Sequence, residues 1–141
     1  MLVGSYLDTS FLFKFYLTEQ ESPDALAWLH QYQDPVWISP LSDIELIAAF
    51  SRNDSAIAGR KAIDHYLEDL ESGFYRKLEM DAAVFENAQN IAQQHAWQYG
   101  LRSLDILHLA TAVRHGIASF GSFDNRQSDA AEALGLNVFR A

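Results

Sequence analysis

No cysteine occurs anywhere in the 141 residues. Disulfides, thiolate zinc sites and cysteine nucleophiles are therefore excluded, and the composition suits a reducing compartment. Proline appears three times and glycine seven times. No Pro/Gly/Ser-rich or low-complexity tract divides the chain. The sequence reads as one domain over residues 1–141, long enough to bury a sizeable core. Positive charge is scarce as well: ten Lys and Arg against nineteen Asp and Glu give a formal charge of −9. Proteins that grip nucleic acid by bulk charge are usually basic. Any phosphate chemistry must therefore rest on a local site, and a basic partner fits the net charge more easily. Long apolar runs are missing too. Asp8 and Lys14 interrupt the apolar N-terminal stretch, which has no basic leader, well short of the ~20 residues a membrane span needs. The expectation is a soluble, cytoplasmic protein with no membrane segment.

What is present is a folded composition, 49% hydrophobic and 13% aromatic. Its pattern alternates. Residues 2–7 read as a strand and 10–20 as a helix, and Ser22-Pro23 opens a second helix in the manner of a cap followed by proline. VWIS at 36–39 reads as a short buried strand, followed by helices through IELIAAFSR and AIAGRKAIDHYLEDLE. A short strand near 75–80 leads to a long helix, DAAVFENAQNIAQQHAWQY, stopped by Gly100. SLDILHLATAVRHG forms the next helix, IASF a strand, residues 125–134 a helix and NVF a last strand. Strands separated by helices imply an α/β fold: a central parallel sheet of about four to five strands with helices on both faces.

In such a sheet every strand ends, and every crossover helix begins, on the carboxyl edge, where ligands bind. Four acids fall there. Asp8 ends the first strand, and Glu45 lies in the first turn of the helix after VWIS. Asp105 opens the helix leading to IASF, and Asp124 follows that strand. They are separated by 37, 60 and 19 residues, so only the fold can gather them. Taken singly, three have ordinary explanations: a Ser42–Glu45 capping box, Asp105 behind a Ser103 cap, and Asp124 as a helix cap. Asp8 does not, because an unpaired charge among Tyr6, Leu7, Phe11 and Leu12 costs several kcal/mol. Converging carboxylates repel unless a cation neutralises them. Hard divalent Mg²⁺ or Mn²⁺, held by a few carboxylates with water and a substrate phosphate, resolves the conflict.

At these residues the sequence resembles PIN-domain ribonucleases, and among them the VapC toxins of prokaryotic toxin–antitoxin pairs. YLDTSFLFKFY resembles the opening strand with its Asp and following hydroxyl, and SPLSDIELIAAFSR the segment bearing the Glu. LRSLDILHLATAV resembles the Asp-Ala-Leu-His-Leu-Ala stretch, with Ile106 in place of alanine. FGSFDNRQSDAAEALGL resembles the closing Thr/Ser-x-Asp segment. The resemblance implies a single PIN-like domain that cleaves RNA endonucleolytically with a divalent metal. It makes Asp8, Glu45, Asp105 and Asp124 the acidic constellation. Asp8 and Asp105 are the direct ligands, Glu45 ligates through water or positions the attacking water, and Asp124 serves a second metal or an outer position. Thr9 or Ser10 orients Asp8 or contacts phosphate. The resemblance further implies a cognate antitoxin that covers the rim with a basic segment, and a homodimer.

Arg52, Arg102 and Arg126 can steer phosphate or simply pair with carboxylates. Asp43 and Asp129 are spare acids. His108, three residues from Asp105, is expected to pack structurally. His30, His65, His95 and His115 lack zinc spacing. Trp28, Trp37 and Trp97 are expected in the core or at an interface. Two competing readings stand beside the ribonuclease. One is a non-catalytic PIN-like module that binds protein. The other is a phosphatase with Asp8 as nucleophile, disfavoured because Ser10 stands where its D-x-D motif needs a second aspartate.

Overall fold

Side-chain alternation along the first strand sends neighbouring residues into two separate cores. In the computed structural model, which describes residues 2–140, β1 spans Leu2–Leu7. Its Tyr6 enters one buried cluster and its Leu7 the other, as the two-residue period of a strand requires. β1 is followed by α1 (Thr9–Phe13) and α2 (Ser22–Gln31), and β2 (Val36–Ile38) by α3 (Pro40–Ser51) and α4 (Ala56–Glu71). β3 (Tyr75–Lys77) precedes α5 (Ala82–Tyr99) and α6 (Ser103–Arg114). β4 (Ile117–Gly121), α7 (Asn125–Ala133) and β5 (Asn137–Val138) complete the order.

The five strands form one parallel sheet in the order β3-β2-β1-β4-β5. Tyr6 aligns with Trp37 on one side and Phe120 on the other. Helices cover both faces. One cluster joins Tyr6 and Phe120 to Val84, Ile91, Ile106 and Leu109 of α5 and α6 and to Ala130 of α7. The other joins Leu7 and Ile38 to Phe11, Leu46, Phe50 and Tyr66 from α1, α3 and α4. From β1 the chain first builds outward through β2 and β3, then crosses to add β4 and β5 on the opposite side. The crevice beyond the ends of β1 and β4 is thus the topological switch point, where open α/β sheets bind ligands.

Punctuation set most boundaries. Asp81 caps α5 by accepting from the Val84 amide at 3.1 Å, and Gly100 ends it in the left-handed region at φ 63°. The helix expected over 10–20 is much shorter, stopping at Phe13. Beyond it the amides of Lys14, Phe15 and Tyr16 bond three residues back, a tighter winding. Residues 14–17 carry no helix, and Tyr16 packs on Phe50 and Tyr66. Of the tryptophans, Trp28 and Trp37 are half-buried, whereas Trp97 is 97% exposed. No helix among the described residues is long and apolar enough to cross a membrane.

The α3–α4 contact leaves no room for a side chain at Gly59. A Cβ there would stand 2.2 Å from the Phe50 carbonyl oxygen, so the two helices would have to part. Gly59→Ala is expected to destabilise the fold by about 1–3 kcal/mol, read from urea unfolding. An unchanged midpoint would show that the close approach of α3 and α4 contributes nothing.

Candidate active site at the carboxyl edge

Asp8 sits where β1 becomes α1. It is the α1 N-cap, its Oδ1 accepting from the Phe11 amide at 3.2 Å and from Ser10 Oγ at 2.7 Å. Oδ2 accepts from Ser122 Oγ at 2.6 Å, a contact across the switch point from β1 to the end of β4. The residue is only 6% exposed, and among the described residues it enters no ion pair. Burial pushes its carboxyl above the ordinary range. Bonds from Ser122 and Ser10, the nearby His108 and the Phe11 amide offset part of that rise. The serines are held in turn, since Ser10 Oγ accepts from the Phe123 amide and Ser122 Oγ from the Asp124 amide, both at 3.0 Å.

Glu45 is reached differently from the sequence expectation. The helix does not start at Ser42. Pro40 occupies the first helical position behind Ser39, whose amide donates to Ser42 Oγ at 3.2 Å, as proline's fixed φ favours. The expected Ser42–Glu45 capping box is therefore absent, and Glu45 stands in the second turn of α3 with its side chain turned to tertiary partners. Its Oε1 accepts from Thr9 Oγ1 at 2.9 Å and from the His108 ring at Nε2. The other ring nitrogen, Nδ1, meets the Tyr6 hydroxyl at 2.6 Å, and that hydroxyl meets Ser39 Oγ at 2.8 Å. Burial opposes ionisation of Glu45, but the bond and charge of His108 together with Thr9 outweigh it and hold the carboxyl below its ordinary range. His108 is buried as expected, yet its ring reaches Glu45 of another helix as well as lying in the core.

Asp105 and Asp124 belong to helix starts. The α6 N-cap is Arg102, not Ser103, and Asp105 Oδ2 accepts its backbone amide at 3.0 Å. Gln127 Nε2 on α7 donates to the Asp105 carbonyl at 3.0 Å, tying the α6 start to α7. Asp124 caps α7 and is clasped by Arg126, whose Nε and Nη2 reach Oδ1 and Oδ2 at 3.2 and 2.8 Å. Those bonds depress the Asp124 carboxyl, with partial burial opposing them. Arg126 also donates from Nη1 to the Gly100 carbonyl at 3.0 Å, so it pairs in place rather than standing free for phosphate. Arg52 and Arg102 are exposed and make no ion pair among the described residues. The spare acids are occupied elsewhere, Asp43 by Tyr66 and Lys77 and Asp129 by Arg140.

Topology thus delivers the four acids to the ends of β1 and β4 and to the early turns of α3, α6 and α7. Each has its own hydrogen-bond partners, and among the described residues no three Asp, Glu or His side chains are disposed around one ion position. The donor set nevertheless has the hard-oxygen chemistry that Mg²⁺ and Mn²⁺ prefer. Sequence reasoning missed Tyr6, Ser39 and Ser122 as site residues and the contact of His108 with Glu45. The only local signal was the three-residue spacing of Asp105 and His108, which pointed to the wrong carboxylate.

Comparison with known proteins adds an independent line. The PIN domain family matches residues 5–133. Ribonuclease VapC35 of Mycobacterium tuberculosis is 38% identical, the match covering 94% of this chain and 93% of that protein. Ribonuclease VapC46 of the same organism is 35% identical over 97% of each. The crystal structure of M. tuberculosis VapC20, a sarcin–ricin-loop-cleaving toxin, shares the fold with a TM-score of 0.74 at 20% identity. That match covers 90% of this chain and 95% of VapC20.

Asp8 and its companions leave opposite signatures in stability. A carboxyl raised on folding stabilises at low pH and loses that contribution as pH rises through its elevated pKa. Glu45 and Asp124, depressed on folding, stabilise above the ordinary carboxylate range and lose that as pH falls. Asp8→Asn is therefore expected to stabilise the EDTA-treated protein at neutral pH. The gain should shrink toward acid pH in urea titrations. A variant less stable than wild type at neutral pH would contradict the cost assigned to Asp8.

Proposed function

The chain belongs to the PIN-domain family, in its VapC branch, and on that premise we propose that it is a divalent-metal-dependent endoribonuclease. In this reading it is the cytoplasmic toxin of a toxin–antitoxin pair. The observation that carries the metal dependence is Asp8: a carboxylate almost out of water at the switch point, held by hydroxyls and an amide with no cationic side chain bonded to it. Relatives that are ribonucleases over nearly their full length support the reaction class. The net charge of −9 suits a partner with a basic segment that covers the rim, and the proposed toxin is a homodimer.

Asp8 and Asp105 would hold the cation, with Asp124 at an outer or second position. With so few protein ligands, water and phosphate oxygens would complete the shell, as Mg²⁺ favours. A bound Mg²⁺ or Mn²⁺ supplies Lewis-acid charge at the phosphate and lowers the pKa of water. Glu45, ionised and half-buried, orients the attacking water and accepts its proton as the new P–O bond forms, while the bond to the leaving ribose oxygen breaks and that oxygen takes a proton from solvent. Thr9 and Ser10 fix Glu45 and Asp8 respectively through their hydroxyls. Arg52 and Arg102 are the exposed guanidinium groups available to phosphate.

Wild-type protein is expected to cleave RNA with Mg²⁺ or Mn²⁺ and to stop in EDTA. Asp8→Asn and Asp105→Asn should each slow cleavage roughly 100-fold or more. The unmutated protein should also melt higher in Mn²⁺, since an ion bound only by the native state stabilises it. Robust cleavage by the Asp8→Asn, Asp105→Asn double variant, or in EDTA, contradicts the proposal.

A further inference from the structure

We infer that His108 is a positioning residue for this reaction, one that holds the Glu45 carboxylate through one oxygen and leaves the other for the attacking water. The inference rests on the ribonuclease reading and assigns a function to a side chain that local sequence gives no reason to place there.

The geometry is a chain of four side chains from three elements: Ser39 before α3, Tyr6 on β1, His108 on α6 and Glu45 on α3. Ser39, Tyr6 and His108 are buried, at 0%, 0% and 3% exposed. The direction of each hydrogen bond follows from what each group can do. An ionised carboxylate only accepts, so the His108 nitrogen facing Glu45, Nε2, carries the hydrogen. In the neutral ring Nδ1 is then the acceptor, and the Tyr6 hydroxyl donates to it over 2.6 Å. Tyr6, having spent its one proton, accepts from Ser39 Oγ at 2.8 Å. In the neutral ring only this tautomer satisfies all four groups, and the reverse one would face Glu45 with a lone pair; a protonated ring keeps the same Nε2–H donor to Glu45 and reverses only the bonds beyond Nδ1. Tyr6 itself is fixed by stacking on Phe120, with ring centroids 5.7 Å apart and planes 12° from parallel.

The consequence for the site lies at Glu45. Both its partners, His108 Nε2 and Thr9 Oγ1, bind Oε1. Among the described residues Oε2 has no side-chain donor, although Glu45 is half-buried. A glutamate in the second turn of a helix has three freely rotating bonds. Here the ring and the threonine remove that freedom before substrate arrives, and such preorganisation is what a water-orienting group needs. His108 is not itself a candidate for contact with RNA or metal, since both nitrogens are spent on protein partners and the ring is closed off from solvent.

Four single variants, one double variant and two kinds of readout test this. ¹⁵N-histidine NMR of the metal-free protein should show His108 locked with its hydrogen on Nε2, and that proton's shift should move in Glu45→Gln. Tyr6→Phe should loosen the tautomer. In steady-state cleavage of an oligoribonucleotide with Mn²⁺, His108→Leu should lower kcat about 10–100-fold and leave KM within about threefold. His108→Gln, whose amide can still donate to Glu45, should recover most of that loss. His108→Leu added to Glu45→Gln should cost little more than Glu45→Gln alone, because the two act as one unit. The inference is overturned by a mixed or Nδ1–H tautomer, by wild-type kcat in folded His108→Leu, or by losses that multiply in the double variant. Should His108→Leu fail to fold, the tautomer measurements with Tyr6→Phe and His108→Gln decide. A wild-type protein that cleaves no RNA but shows the locked Nε2–H ring would sink the ribonuclease reading while leaving the network intact.

Discussion

A carboxylate buried at the end of the central strand is the constraint around which the rest of the site is arranged. Taking Asp8 out of water costs free energy that three hydrogen bonds only partly offset, as its raised pKa records. Those bonds also tie separate parts of the chain together. Ser122 comes from beyond β4 and Ser10 from α1, and each is fixed by a backbone amide of the segment leading into α7. A destabilised carboxylate in a rigid hydroxyl clamp is a poor structural element. It is a suitable resting form for a group that would bind a cation, because an ion there would remove the penalty that folding imposed.

The parallel sheet explains why the remaining acids come to the same edge although their hydrogen bonds differ. Each follows a strand or opens a helix on that edge, and each uses its position locally. Asp105 and Asp124 close their own helix starts, where a negative charge also suits the helix dipole. Glu45 lies one turn deeper and so depends on tertiary partners. Local capping and catalytic placement are therefore compatible readings for Asp105 and Asp124, and competing ones for Glu45. Tyr6 and Leu7 show the same economy in the sheet itself: adjacent residues on β1 anchor the two cores, and the next residue is Asp8.

Much of this was legible in the sequence. The α/β alternation, the parallel sheet with helices on both faces, and the limits of α4, α5 and α6 followed from apolar period and from stops such as Gly100 and Gly116. The four acids were identifiable because strand ends and helix starts can be read locally, and the family resemblance agrees with the observed relatives. What could not be read of the site has one physical cause: partners distant in sequence. Ser122 lies 114 residues from Asp8, and His108 lies 102 from Tyr6 and 63 from Glu45. No local period encodes such pairs. The α3 start was misjudged because Ser42 resembles a cap as well as Ser39 does. The length of α1 was misjudged because the aromatic run Phe11–Tyr16 looks helical, while packing of Tyr16 on Phe50 and Tyr66 favours tighter turns.

The central claim is that this edge takes up a divalent ion through Asp8 and Asp105. Crystals grown with Mn²⁺ and measured at an anomalous-scattering wavelength test it most directly. The account predicts a strong peak within coordination reach, about 2.0–2.6 Å, of carboxylate oxygens from both residues, with the Asp8 side chain released from at least one serine. A peak seated instead on Asp43, Asp69 or another surface acid, with Asp8 still bound to Ser10 and Ser122, would contradict it.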